Sequence, residues 1–235
     1  MKSNEKKVKV ALVDNSISSE IYTPVEHWKP YLDVEWVSFR ATKSHFPNLK
    51  DGYTHLILTG SEASVLEREN WVYEEIEIVQ QAVDQELSIL GSCYGHQLLA
   101  LALAGSSHVQ RSLQPEIGWI SININEGNNF LGERKRAYSF SIHFDEVVNL
   151  GEPFIVLASS KSCQVQAIQL KDRPIWGLQI HPEIDVPSGQ NLLRNLIHKH
   201  RKDKVLFEKA LASIPRDSFL IRYIINTFLN VREKS

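Results

Sequence analysis

The sequence is poor in cysteine: its 235 residues include only Cys93 and Cys163. Two thiols exclude a disulfide-rich scaffold, and neither stands at zinc-ligand spacing, so no metal is expected. Apolar runs are short. No segment approaches the roughly 20 residues that a spanning helix needs, and the N-terminal MKSNEKKVKV is charged where a secretory signal is apolar. The expectation is a cytoplasmic chain with no membrane partner. Charge of one sign is also lacking, since 26 Lys and Arg against 28 Asp and Glu give a formal net charge of -2. A nucleic-acid groove needs a clustered cationic excess, so no nucleic-acid partner is expected. There is no glycine-rich phosphate loop, no internal repeat and no low-complexity linker, and no cofactor is expected.

What is present is an alternation of buried strands and amphipathic helices. KVALVDN (9–15), THLILTGS (54–61) and LSILGSC (87–93) are short apolar runs ending in polar or glycine residues, as in strands buried on both faces of a parallel sheet. Between the last two, residues 70–86 place Val72, Ile76, Val79 and Val83 at helical spacing, with acids on the opposite side, which predicts a crossover helix. DVEWVSF (33–39) adds a strand. Residues 117–125, 137–144, 154–160, 163–170 and 174–181 then follow one another with short turns, as in an antiparallel extension of the sheet. Beyond Pro187 the pattern is helical, broken near Ile214-Pro215. The fold class is therefore α/β: a flavodoxin-like, doubly wound mixed sheet over residues 1–200, with a helical C-terminal extension, 201–235, packed on the same domain.

The chemistry concentrates at one corner. Residues 87–105, LSILGSCYGHQLLALALAG, run from an apolar strand through a G-x-C-x-G turn into an apolar helix, the form of a nucleophile elbow. The helix beginning at Tyr94 points its amides and positive dipole end at the sulfur, which favours thiolate. In WGLQIHPEI (176–184), His181 and Glu183 are two residues apart after a strand, so an extended chain carries both on one face. A carboxylate there can orient the imidazole while its other nitrogen faces Cys93, the logic of a triad with a thiol nucleophile.

These residues resemble the class I, triad-type glutamine amidotransferases, whose elbow reads Cys-[Tyr/Leu/Phe]-Gly-x-Gln and whose second signature is His-Pro-Glu. Here the two stand as CYGHQ (93–97) and HPE (181–183). The likeness extends to LILTGS (56–61), at the family's oxyanion loop, and to SIHFDEV (141–147), where many members have Ser-His-Gly-Asp. Among members it is most similar to the glutaminase portion of GMP synthetases and to freestanding γ-glutamyl peptidases. The resemblance implies Cys93 as nucleophile, His181 as acid and base, and Glu183 as its orienting partner. It places the oxyanion donors at the Tyr94 amide and at Ser61, preceded by Gly60, and substrate contacts at Gln97, His143 and Phe144. Ser61 stands where most members have glycine, and Phe144 replaces the glycine of Ser-His-Gly-Asp, so a bulky ring enters the pocket wall.

The implied activity is cleavage of the glutamine side-chain amide, or of a γ-glutamyl bond, through a thioester. Any synthetase that consumes the ammonia would be a separate chain, because no phosphate loop is present. The alternative is a catalytically silent binding or regulatory protein of the same fold; the joint presence of Cys93, His181 and Glu183 argues against it. A cysteine peptidase of the same broad fold comes last, because Tyr94, not histidine, follows the nucleophile. The remaining polar residues have plainer readings. Cys163 is a packing residue with no His or acid beside it in sequence, Asp14 and Asn15 form a turn, and His198 with His200 belongs to a solvated basic segment.

Overall fold

The computed structural model describes residues 7–127, 130–199 and 201–231; His200 lies outside them. Nine strands form one sheet: β1 (Lys9–Asp14), β2 (Glu35–Arg40), β3 (His55–Leu58), β4 (Ser88–Ser92), β5 (Val109–Ile124), β6 (Arg136–Val147), β7 (Phe154–Ser159), β8 (Ala167–Leu170) and β9 (Ile175–Leu178). Their spatial order is β2-β1-β3-β4-β9-β8-β7-β5-β6. The β2-β1-β3-β4-β9 half is parallel and the β8-β7-β5-β6 half antiparallel. The mixed, doubly wound sheet expected from the pattern is thus the observed architecture.

The parallel strands are continuous apolar runs because both faces are covered. In β1, Ala11 and Val13 face a core shared with α2 (Asn70–Asp84) and α3 (Tyr94–Ala104). Val10 and Leu12 face a second core, closed by α1 (Pro24–Trp28) and α6 (Ile221–Leu229), as the period of two requires. Ile221, Ile224 and Phe228 of α6 are buried there, and the Phe228 carbonyl meets His55 Nε2 at 2.9 Å. A third cluster packs α4 (Val186–Lys199) and α5 (Lys204–Ala212) over Phe140 of β6 through Leu192, Leu193, Leu196 and Phe207. Pro187 sits in the first turn of α4, where its missing N–H costs no hydrogen bond. The expected break at Ile214-Pro215 is real, and a second falls between α4 and α5.

Three local expectations are corrected. The 70–86 helix ends at Asp84, and its buried face is Trp71, Val72, Glu75, Ile78, Val79 and Ala82, so one acid points into the core instead of outward. β5 begins at Val109, eight residues before the expected Ile117, because a register shift between Arg111 and Glu116 absorbs Pro115; proline is tolerated in a strand at such an irregularity. β8 begins at Ala167, which leaves Cys163 in the preceding bend, its thiol donating to the Val165 carbonyl at 3.6 Å.

In a parallel sheet, the carboxyl ends of neighbouring strands open on one crevice. Here those ends deliver Asn15 after β1, Thr59–Ser61 after β3, Cys93 after β4 and His181 after β9.

Candidate active site

Cys93 occupies the corner between β4 and α3 with φ 48° and ψ -102°, a left-handed backbone that a non-glycine residue adopts under constraint. Its amide donates to the Leu178 carbonyl at 2.7 Å, and the Gly95 amide to the Thr59 carbonyl at 3.2 Å. A Cβ on Gly91 would meet the Gly95 backbone at 2.5 Å, and one on Gly95 would strike the Leu58 carbonyl. The G-x-C-x-G spelling is therefore steric: strand, turn and helix approach too closely for side chains on either flank. The thiol is 5% exposed; it donates to the Ile142 carbonyl at 3.5 Å and receives Gln179 Nε2 at 3.6 Å.

His181 follows β9 in extended conformation, its amide bonded to the Phe140 carbonyl at 2.8 Å. Its Nδ1 lies 2.8 Å from Glu183 Oε1. A carboxylate only accepts, so Nδ1 carries the proton and Nε2 is the nitrogen left for the sulfur. Glu183 is held by two further donors, Ser92 Oγ at 3.1 and 3.3 Å and Tyr22 Oη at 3.4 Å. Burial works to lower the His181 pKa, but the charges of Glu183 and Cys93 and hydrogen bonds to both outweigh it and push the value up to about 10. The Cys93, His181 and Glu183 expected from sequence are thus brought together, with an imidazolium favoured between sulfur and carboxylate.

The loop after β3 closes a third side. Ser61 Oγ donates to the Asn15 carbonyl at 2.6 Å and accepts the Ala63 amide at 2.9 Å. Asn15 in turn donates Nδ2 to the Thr59 carbonyl at 3.1 Å, so Asn15 does more than shape a turn: it ties down the loop. Serine in the family's glycine position is accommodated because its hydroxyl becomes part of that tie. The Tyr94 amide belongs to the first turn of α3, whose donors have no acceptor within the helix. Gly60 lies against the imidazole, where a Cβ would come within 2.6 Å of His181 Cε1. Gly60→Ala is expected to displace the ring and lower turnover about 100-fold with the fold retained, measured as steady-state kcat beside circular dichroism.

The three expected substrate contacts line one cavity with Cys93 and His181. Gln97 is 3% exposed and directs Nε2 to the Asp145 carbonyl at 2.9 Å and to Gln179 Oε1 at 3.2 Å, so Oε1 is the atom it can offer. His143 lines the cavity too, its ring nitrogens taken up by a polar cluster, with Nδ1 2.9 Å from the Asp145 carbonyl and Nε2 3.2 Å from Glu116 Oε2. Phe144 does stand in the wall of the cavity, its ring 6.4 Å from that of Phe207 in an edge contact. The cavity, about 280 Å³, opens onto Cys93 and His181. The β3–α2 loop and β5 give it charged groups, Glu62, Glu67 and Arg111, while α4 and α5 give it apolar ones, Leu192, Leu196 and Phe207.

Sequence reasoning missed Gln179, Tyr22 and Ser92. Gln179 was within reach, because it precedes His181 and Glu183 on the same alternate-residue face. Cys163 also has neighbours that the sequence hid. Its sulfur and ligand atoms of Glu116 and His143 lie within 4.8 Å of one another. This is a hydrogen-bonded core group: Glu116 accepts from Ser160 Oγ at 2.6 Å and from Gln166, and burial pushes the Cys163 thiol up to about 12.

Comparison with known proteins adds a family to this geometry. The model of the family described as "Glutamine amidotransferase class-I" matches residues 11–200. One subunit of the glutamine-hydrolyzing GMP synthase of Sulfurisphaera tokodaii is 34% identical over 156 residues, 66% of this chain and 80% of that one. The glutamine-hydrolyzing GMP synthase of Acetivibrio thermocellus is 32% identical over 146 residues, which cover 61% of this chain but 27% of that protein. Among solved structures, a glutamine amido transferase from Methylobacillus flagellatus superposes with a TM-score of 0.75 at 20% identity, over 98% of this chain and 97% of that one. Among the described residues, no helix is long and apolar enough to cross a membrane.

Proposed function

The chain belongs to the class-I glutamine amidotransferase family, and from that premise we propose that Cys93, His181 and Glu183 hydrolyse the side-chain amide of glutamine through a γ-glutamyl thioester. The observation that carries the reading is the buried relay in which Glu183, fixed by Ser92 and Tyr22, holds His181 Nδ1 at 2.8 Å and turns Nε2 toward the thiol. The sulfur attacks the amide carbon as thiolate. The carbonyl oxygen takes up the negative charge, facing the backbone amides of Tyr94 and Ser61; each such donor lowers the barrier by about 2.7 to 4 kcal/mol. His181 gives its Nε2 proton to the departing ammonia, then takes one from water as the water attacks the thioester. Glutamate leaves and the thiol is restored.

The ammonia would pass to a synthetase on a separate chain, a reading supported by relatives named as one subunit of a glutamine-hydrolyzing synthase. A second reading has its own observation. Leu192, Leu196, Phe207 and Phe144 give the cavity an apolar wall for which ammonia has no use, and which suits a γ-glutamyl amide of an apolar amine. Release of ammonia from glutamine, and of amino acid from γ-glutamyl-leucine and γ-glutamyl-phenylalanine, separates the two. Under the second reading the dipeptides are preferred, and Phe207→Ala lowers their kcat/KM about 10-fold while sparing glutamine. Preference for glutamine, with Phe207→Ala silent, leaves the first alone. Hydroxylamine should trap the thioester as the hydroxamate in either case; no trapping and no turnover would reject both.

A further inference from the structure

Thr59 directly follows β3, is fully buried and belongs to neither the relay nor the cavity lining. Its hydroxyl makes two hydrogen bonds: Oγ1 accepts the Asn15 amide at 3.0 Å and donates to the Gly60 carbonyl at 3.0 Å. Its main chain is held as firmly. The Thr59 amide donates to the Val13 carbonyl at 3.1 Å, and the Thr59 carbonyl accepts Asn15 Nδ2 at 3.1 Å and the Gly95 amide at 3.2 Å. One residue thus joins the end of β1, the loop after β3 and the first turn of α3.

The bond to Gly60 bears on the next amide. The Gly60 carbonyl and the Ser61 N–H belong to one peptide unit, which is planar and trans, so the two point in opposite directions. A carbonyl fixed on the buried Thr59 hydroxyl aims that N–H away from the core, and Ser61 lines the cavity with Cys93. Among the described residues the Ser61 amide has no acceptor. The Asn15 amide decides where the hydroxyl proton goes: an N–H only donates, so it takes a lone pair of Oγ1 and leaves the single proton for Gly60. Without that bond, the freedom of a glycine backbone would let the peptide turn.

We infer that Thr59 is a positioning residue for the oxyanion hole, its hydroxyl setting the direction of the Ser61 amide through the Gly60 carbonyl. The Tyr94 donor takes its register from the same residue, because the Gly95 amide that meets the Thr59 carbonyl directly follows Tyr94. The kinetic consequence rests on the proposed reaction at Cys93.

Thr59→Val removes the hydroxyl and keeps the branched shape, while Thr59→Ser keeps the hydroxyl. Thr59→Val should lower kcat about 10-fold with KM within about twofold, short of the roughly 100- to 1000-fold that outright loss of an oxyanion donor costs. Thr59→Ser should stay within about threefold of the wild type. Alkylation of Cys93 by iodoacetamide is the control. There the thiolate forms an S–C bond as the C–I bond breaks and iodide leaves; no oxyanion develops, so the rate should agree within about twofold in all three proteins. Parallel losses in alkylation and turnover would reduce Thr59 to a structural role and overturn the inference, as would Thr59→Val with the kcat of the wild type.

Amide hydrogen exchange in the wild type separates this inference from the proposed function, and it decides the matter should Thr59→Val not fold. The Asn15 amide, bonded to Thr59 Oγ1 in the core, should exchange at least about 100-fold more slowly than the Ser61 amide. Absence of Cys93-dependent turnover would reject the function and leave that contrast intact. An Asn15 amide that exchanges as fast as that of Ser61 would mean that the hydroxyl is not held, and would overturn the inference whatever the turnover.

Discussion

Cys93→Ala is expected to reduce glutamine turnover on the order of 10⁵- to 10⁶-fold, the scale set by removing the nucleophile from a relay that works as a unit. The substitution should leave the fold intact. Alanine accepts the same left-handed backbone no worse than cysteine, and the Cys93 amide keeps its bond to the Leu178 carbonyl. The packing lost is one sulfur with two weak contacts, to the Ile142 carbonyl and Gln179 Nε2. Ammonia release read by a coupled assay, beside circular dichroism, checks both halves. The second thiol cannot substitute, since Cys163 is 1% exposed and burial pushes its pKa up to about 12. Residual turnover within 100-fold of the wild type would mean that the chemistry runs elsewhere.

Glu183→Gln should lower kcat by about 10³- to 10⁴-fold while preserving shape, as loss of the carboxylate partner does in a serine triad. The amide retains an oxygen for His181 Nδ1–H but no charge. In the wild type, Glu183 and Cys93 together overcome burial to hold His181 up at about 10. Without the Glu183 charge, burial gains the upper hand and the ring loses its proton at lower pH. The sign for stability follows. A histidine raised from 6.5 to about 10 contributes stability that is fully present below the first value and gone above the second. Wild-type Tm should therefore fall as pH rises from about 7 to about 10, and the fall should shrink in Glu183→Gln. An equally steep fall in the variant would show that another group titrates in that range.

The residues that motif reading placed are those set by short covalent spacing at the ends of buried strands. Gly60, Ser61, Cys93, Tyr94, His181 and Glu183 each follow an apolar run, and a parallel sheet gathers such ends. Tyr22 carries no such mark: it reaches Glu183 across 161 positions of sequence from a turn before α1. Glu75 escapes the pattern for another reason. Val72, Ile76, Val79 and Val83 define a helix face, but the buried face is turned toward Trp71, Glu75, Ile78 and Ala82. Polarity patterning cannot assign an acid to the interior, because what admits it there is a pair of polar side chains from distant segments, Asn15 and Tyr94. His143 shows another limit: the family pattern located it at the cavity, but its Nε2 partner Glu116, 27 positions away, carries no mark in the local sequence.

The packing of α6 bears on how the chain is made. Its Ile221, Ile224 and Phe228 close the face formed by Val10, Leu12 and Ile57, so strands near the beginning of the sequence wait for a helix translated long after them. A nascent chain stalled before residue 221 exposes that strip on the ribosome, the condition under which chaperones engage and aggregation competes. Cleavage in the 213–220 connection, where Ile214 is 81% exposed, would reopen the same face in the finished protein, which makes this connection the point from which its turnover by proteases is expected to begin.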